Sequence, residues 1–196
     1  MIQCGLYRTG TLWAHSTLPA DCHPDIITMA KPLGNGYPIG AILLRDVIAA
    51  TMTTGEPTGN EALSCTYQMV PGTHGTTFGG SPLACAVGHH VLSRLSCPEF
   101  VAGVRAASAH LLSRLEVLPT MFPDILQPNI RGRGLITGLG FKDESGAGRL
   151  VGMARERGVL LLTGGKDALR IVPSLCIGKE EVDMAVEVIE SCLGEL

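Results

Sequence analysis

The stretch DIITMAKPLGNGYPIGAILL, from Asp25 to Leu44, constrains this chain more than any other. IITMA and IGAILL read as two short buried strands, and Gly34, Asn35, Gly36 and Pro38 between them are turn chemistry. Lys31 then falls at the carboxyl end of the first strand, on the side where open α/β sheets bind ligands. A lysine in that place either runs its stem out to solvent or does chemistry from a partly desolvated pocket. Spacing alone leaves both readings open.

The rest of the composition narrows the class. With 45% hydrophobic and 17% charged residues, the 196-residue chain has enough apolar material for one large domain or two small ones. A net charge of −3 gives no footprint for nucleic acid, and no apolar run approaches the length of a membrane span. The start MIQCGLYRTG has neither the regions of a signal peptide nor the character of a transit peptide, so no targeting segment is expected. Seven scattered cysteines without a C-x-x-C pair argue against a disulfide framework and against zinc. His89 and His90 are adjacent, and helical neighbours point about 100° apart, so a shared metal is not expected.

Periodicity divides the chain. Up to Leu95, short apolar runs alternate with Gly-rich turns and end in a helix. Ser81 reads as its N-cap, Pro82 as its first residue, and Leu83, Val87, Val91 and Leu95 as its apolar stripe. RDVIAATM suggests a short helix, and Gly55 to Pro71 an exposed, poorly ordered segment. After Pro98 a longer helix carries Val101, Val104, Leu111, Leu115 and Leu118. NIRGRGLITGLGF reads as two strands around a Gly turn, GAGRLVGMARERG as a helix closed by Gly158, and VLLLTG and LRIVPS as strands. A last helix has Val182, Val186, Ile189 and Leu193 inward, with Glu181, Asp183, Glu187 and Glu190 outward. The expected domains are residues 1–97 and a small α+β domain, 98–196.

Three further stretches bear on the chemistry, two of them positively. GTHGTTFGGSPLAC has Gly72, Gly75, Gly79 and Gly80 for close backbone approach, hydroxyls on Thr76 and Thr77, and a helix N-terminus facing the same way. It suits an anion, or is simply a Gly-rich turn before a helix. No Gly-Lys-Ser/Thr follows, so it is not a Walker loop. GRGLITG fails the dinucleotide fingerprint, because three residues rather than two separate Gly134 from Gly138. Arg170, at the start of an apolar strand, pairs either with a protein carboxylate or, bidentately, with a substrate carboxylate.

Taken together, IQCGLYRTGTLWAH, HPDIITMAKPLGNGYPIGA, GTHGTTFGGSPLACAV, IRGRGLITGL and LRIVPSL resemble, in order and wording, the class III pyridoxal phosphate-dependent aminotransferases, in particular the acetylornithine branch of fungal mitochondria. The resemblance implies an α/β chain: the C-terminal part of a fold-type I aminotransferase large domain plus a small α+β C-terminal domain. It implies pyridoxal 5'-phosphate as cofactor. Lys31 would be the lysine that carries the cofactor and moves the proton at the substrate's α-carbon. Gln3 would lie near the ring oxygen, Ile2 on the ring face, and Thr76 and Thr77 at the phosphate. Thr77 would reach the cofactor of a neighbouring subunit in a homodimer with shared sites. Arg170 would hold the α-carboxylate, and no metal is implied.

The implied reaction moves an amino group from N-acetylornithine to 2-oxoglutarate, giving N-acetylglutamate semialdehyde and glutamate in arginine biosynthesis. The partners are small amino and 2-oxo acids, without nucleic acid or membrane. The mitochondrial matrix is the implied compartment, with the cytoplasm as alternative. An ornithine or other ω-amino acid aminotransferase, or a truncated non-catalytic relative, are the other readings. The family motif also has an aspartate just ahead of the position of Ile2–Gln3, which would keep the cofactor's pyridine nitrogen protonated. The chain reads as the latter half of such an enzyme, and 196 residues alone are expected to be a very poor transaminase.

Overall fold

The computed structural model describes residues 1–51 and 75–196, which excludes the expected loop at Gly55 to Pro71. Two compact units form: Met1–Gln3 with Trp13–Arg94, and Cys4–Leu12 with Leu95–Leu196.

In the first unit, β1 (Ile26–Met29) and β2 (Ala41–Leu44) pair antiparallel, Ile26 opposite Leu44 and Met29 opposite Ala41. The expectation of buried strands is corrected here. Met29 is buried, but Ile26, Ile42 and Leu43 are 48%, 57% and 41% exposed, and among the described residues β1 and β2 pair only with each other. Helix α1 (Asp46–Thr51) follows, and α2 (Pro82–Leu95) begins at Pro82, as its fixed φ favours. The expected stripe of α2 holds at Val87, Val91 and Leu95, each partly buried, and is corrected at its first member. Leu83 is 61% exposed, and Gly88 is the buried position.

The second unit holds the core. Helices α3 (Pro98–Leu115) and α4 (Leu118–Met121) lead into β3 (Leu126–Arg133) and β4 (Ile136–Phe141). Then come α5 (Gly146–Glu156), the hairpin β5 (Leu162–Thr163) and β6 (Ala168–Ile171), and α6 (Lys179–Leu193). The strands form one antiparallel sheet in the order β3-β4-β6-β5. Alternation sends Thr137, Leu139, Phe141, Leu169 and Ile171 to one face, where they join Val104, Leu111 and Leu115 of α3, Leu150 of α5 and Val186 and Ile189 of α6. Each buried Leu, Ile or Phe contributes about 1.5–3 kcal/mol. Every member of this core belongs to the second unit, so its hydrophobic stabilisation does not depend on the first.

Helix ends follow the sequence. Gly158, at φ +83°, closes α5, with its N–H on the Arg155 carbonyl and that of Val159 on Ala154. Glu181 reaches back to accept the Gly178 N–H at 2.7 Å at the start of α6. Asp183, expected to point outward, is partly buried between helices: its Oδ1 lies 2.8 Å from His110 Nε2 and 3.2 Å from Arg114 Nε of α3.

Residues Cys4–Leu12 join the second unit although their neighbours on both sides belong to the first. Leu6 is fully buried, and the Thr9 hydroxyl accepts the Gly5 N–H at 3.1 Å. The Leu135 N–H donates to the Arg8 carbonyl at 2.9 Å, and the Arg8 guanidinium donates to the carbonyls of Leu135 and Pro173. Half-burial lowers the Arg8 pKa, yet the group stays cationic at any ordinary pH. This strap closes over Gly134, whose φ is +65° and whose Cβ, if present, would stand 2.4 Å from the Arg8 carbonyl oxygen.

Gly134→Ala therefore combines a left-handed backbone with a clash against main chain that cannot rotate away. The expected cost is about 2–4 kcal/mol, read as a fall of about 10 °C or more in the unfolding midpoint of a unit this size. A midpoint within two or three degrees of the parent would show that the strap does not press on this turn.

Candidate active site

In the first unit the site grows out of the turn after β1. Lys31 opens a one-turn 3-10 helix, Lys31–Leu33, with its own backbone at φ +43°. Left-handed backbone is uncommon for lysine, and a following proline disfavours helical conformations further. Such strain persists only where the surroundings over-determine it. Here they do: the Lys31 carbonyl accepts the N–H groups of Gly34 and Asn35, both at 3.1 Å, and Leu33 is buried. At Gly34 a Cβ would fall 2.0 Å from the Tyr37 carbonyl oxygen and 2.6 Å from Ile39 Cγ2, so no other residue fits. The Lys31 side chain is exposed and carries the one amine on this turn.

Helix α2 packs on the same turn. Its buried Gly88 faces Ile39 Cδ1 and Leu33 Cδ1, 3.1 and 3.9 Å from where a Cβ would stand, so its backbone comes up against the two residues that flank the Lys31 knot. Ahead of the helix, the Gly79 N–H closes a turn onto the Thr76 carbonyl at 3.0 Å, and Gly80 has φ +71°. Thr76 and Thr77 are exposed, and the space beside Gly75 and Gly80 is open. Hydroxyls, uncluttered backbone and a helix N-terminus fit an anion such as phosphate, and the Lys31 amine fits an aldehyde. At the other edge, the Met1 amine donates to the Thr28 carbonyl of β1, which sets Ile2 and Gln3 beside the strand leading to Lys31. Ile2 is 38% exposed, and Gln3 is exposed too.

Arg170 lies in the second unit. It sits half-buried on β6, opposite Gly138 of β4 and Leu162 of β5, and Gly138 in turn faces Arg131 of β3. Partners across antiparallel strands share a face, so Arg131 and Arg170 flank a glycine on the sheet surface away from the core. Arg131 forks onto Asp167, with Nη2–Oδ2 at 2.9 Å and Nη1–Oδ1 at 3.5 Å. The Gln127 amide donates to the same carboxylate at 3.1 Å. The Arg131 hydrogen bond holds the Asp167 carboxyl below the usual carboxylate range. The structure thus brings Ile2, Gln3, Thr76 and Thr77 into the unit of Lys31, and sets Arg170 in the other unit.

Sequence reasoning passed over Gly88, Arg8, Asp167, Arg131 and Gln127. Gly88 left a trace as a glycine amid the apolar positions of α2, and Asp167 as an acid three residues before Arg170. Arg8 shows its role only through contacts more than a hundred residues away. Among the described residues, no group of three His, Cys, Asp or Glu side chains could hold a metal ion, and no helix is long and apolar enough to cross a membrane.

Known proteins match this chain over nearly its whole length. Residues 1–193 match the family "Aminotransferase class-III". The chain is 43% identical over 195 residues to the mitochondrial acetylornithine aminotransferase of Eremothecium gossypii, covering 100% of this chain and 41% of that protein. It is 40% identical over 189 residues to the Neurospora crassa protein of the same name, covering 96% of this chain and 37% of that one. Among solved structures, the Plasmodium falciparum ornithine delta-aminotransferase superposes with a TM-score of 0.80 at 28% identity, covering 99% of this chain and 44% of that one. The N-acetylornithine aminotransferase of Stenotrophomonas maltophilia gives 0.75 at 33%, covering 99% and 45%. The chain spans about two fifths of the length of the curated relatives it matches. In its mixed α/β fold and across nearly its whole length, this chain belongs to the class III aminotransferases.

Proposed function

We propose that this chain supplies the lysine-bearing and carboxylate-binding parts of a pyridoxal phosphate-dependent transaminase that takes the ω-amine of N-acetylornithine and gives it to 2-oxoglutarate. One observation carries the reading: an exposed lysine with a left-handed backbone, fixed by a glycine knot against the helix that follows the Gly/Thr turn. The names of the relatives support the donor and the mitochondrial compartment. The ornithine aminotransferase match, at 28% identity, favours ornithine as donor less strongly.

Class III enzymes use pyridoxal phosphate, which when bound supplies an electron sink for the carbon losing its proton. Lys31 would hold the cofactor through its Nζ and move the proton at the amine-bearing carbon. Ile2 would pack on the ring face, and Gln3 would orient the ring oxygen. Thr76 would lie at the phosphate, and Thr77 would complete the phosphate site of a partner subunit in a homodimer. Arg170 grips the substrate's carboxylate bidentately.

Two outcomes check the assignment. Pyridoxal phosphate added to the chain should give an absorption band at the visible edge that Lys31→Ala abolishes; a band that survives unchanged would move the attachment elsewhere. In an assembly that turns over, Arg170→Ala should weaken amino-acid binding about 30- to 5,000-fold, the equivalent of about 2–5 kcal/mol. Steady-state KM values measure this, and an unchanged KM would assign the carboxylate to another residue.

A further inference from the structure

Resting on Arg170 as the substrate-carboxylate residue, we propose that Asp167 is a positioning residue for it, acting through a brace made with Arg131 and Gln127. Strand β6 has four residues, and its hairpin partner β5 has two. The loop between them contains Gly164 and Gly165, the latter at φ +74°, so the local chain does little to fix where β6 begins. Asp167 occupies that beginning, three residues before Arg170, and it is tied in three ways. Its carbonyl accepts the Phe141 N–H at 2.7 Å, its carboxylate receives the Arg131 fork, and the Gln127 amide donates to the same carboxylate.

Gln127 also donates to the Phe141 carbonyl at 2.9 Å and accepts from Arg131. The corner of the hairpin is thereby fastened to both β3 and β4.

The glycines opposite make room for the brace. A Cβ on Gly140 would stand 2.5 Å from Gln127 Oε1 and 3.2 Å from Arg131 Nη2, so that position is filled by the network instead of a side chain. Gly138 leaves the lane between Arg131 and Arg170 open. Two strand spacings, about 10 Å, separate the two arginine stems. That is about one Debye length at ordinary salt, so direct repulsion between the arginines is largely screened. The brace therefore acts on Arg170 through the backbone of β6. Without the anchored corner, β6 shifts along its glycine-hinged hairpin and the guanidinium loses its single orientation.

The test uses the 196-residue chain labelled with nitrogen-15. The Arg170 Nε–H resonance is identified by its loss in Arg170→Lys, and its order parameter is measured in the parent, in Asp167→Asn and in the charge-swapped Arg131→Asp/Asp167→Arg. The expected result is an ordered Nε–H in the parent and a fall to the flexible range, below about 0.6, in Asp167→Asn. The amides of α3, α5 and α6 should hold, and the swapped pair should restore order. Gln127→Ala, which keeps the ion pair, should give a smaller loss in the same direction, and it decides the matter should Asp167→Asn unfold the hairpin. Titration with butyrate should show at least five-fold weaker binding in Asp167→Asn. An Arg170 that stays ordered in both single variants, or a swapped pair that folds without restoring order, overturns the brace. Butyrate affinity unchanged in Arg170→Lys overturns the carboxylate role itself, whatever the order parameters show.

Discussion

The backbone of Lys31 is the constraint on which the first unit depends. A lysine at φ +43° before a proline is held there only because its carbonyl receives two N–H groups and the next glycine admits a carbonyl oxygen where a Cβ would be. Strained backbone of this kind concentrates at functional sites, where it presets a side chain that relaxed geometry would leave to wander. Gly88 brings α2 close to the same turn, since a Cβ there would already stand 3.1 Å from Ile39 Cδ1. The lysine turn and the middle of α2 are thus parts of one packed arrangement.

The second unit follows a different logic. It contains the core, and on the opposite face of its sheet it carries arginines separated by glycines. One of these cations, Arg131, is committed to an internal carboxylate, and that commitment fastens the hairpin bearing Arg170. The strap of Cys4–Leu12 serves the same unit. It follows directly on Ile2 and Gln3, so the residues assigned to the cofactor ring are covalently next to a segment pinned beside Leu135 and Pro173.

Much of this was legible in the sequence. Apolar runs and Gly punctuation located β3, β4, β5 and β6, and helical spacing located the buried faces of α3 and α6, because core packing and local pattern agree there. Legibility failed where tertiary contact overrides local pattern. Leu83 obeys the helical period yet lies exposed, since the packed line of α2 runs through Gly88 instead. Asp183 sits on the charged side of α6 but is drawn in by His110 and Arg114, seventy residues away in the chain. Ile26 and Ile42 read as buried from their apolar runs, but the described residues leave both exposed. For the site, the residue types and order around Lys31 and Arg170 could be read directly; the strain at Lys31 and the brace behind Arg170 are properties of three-dimensional closure.

The central claim is that Lys31 carries the cofactor, and trapping tests it most directly. The chain is incubated with pyridoxal phosphate, reduced with borohydride, digested, and its labelled peptides are mapped. The account predicts label concentrated on Lys31, well above Lys142, Lys166 and Lys179, because of the four lysines only Lys31 is held on a preset left-handed backbone. Label spread evenly over the four lysines, or gathered on one of the other three, would contradict it.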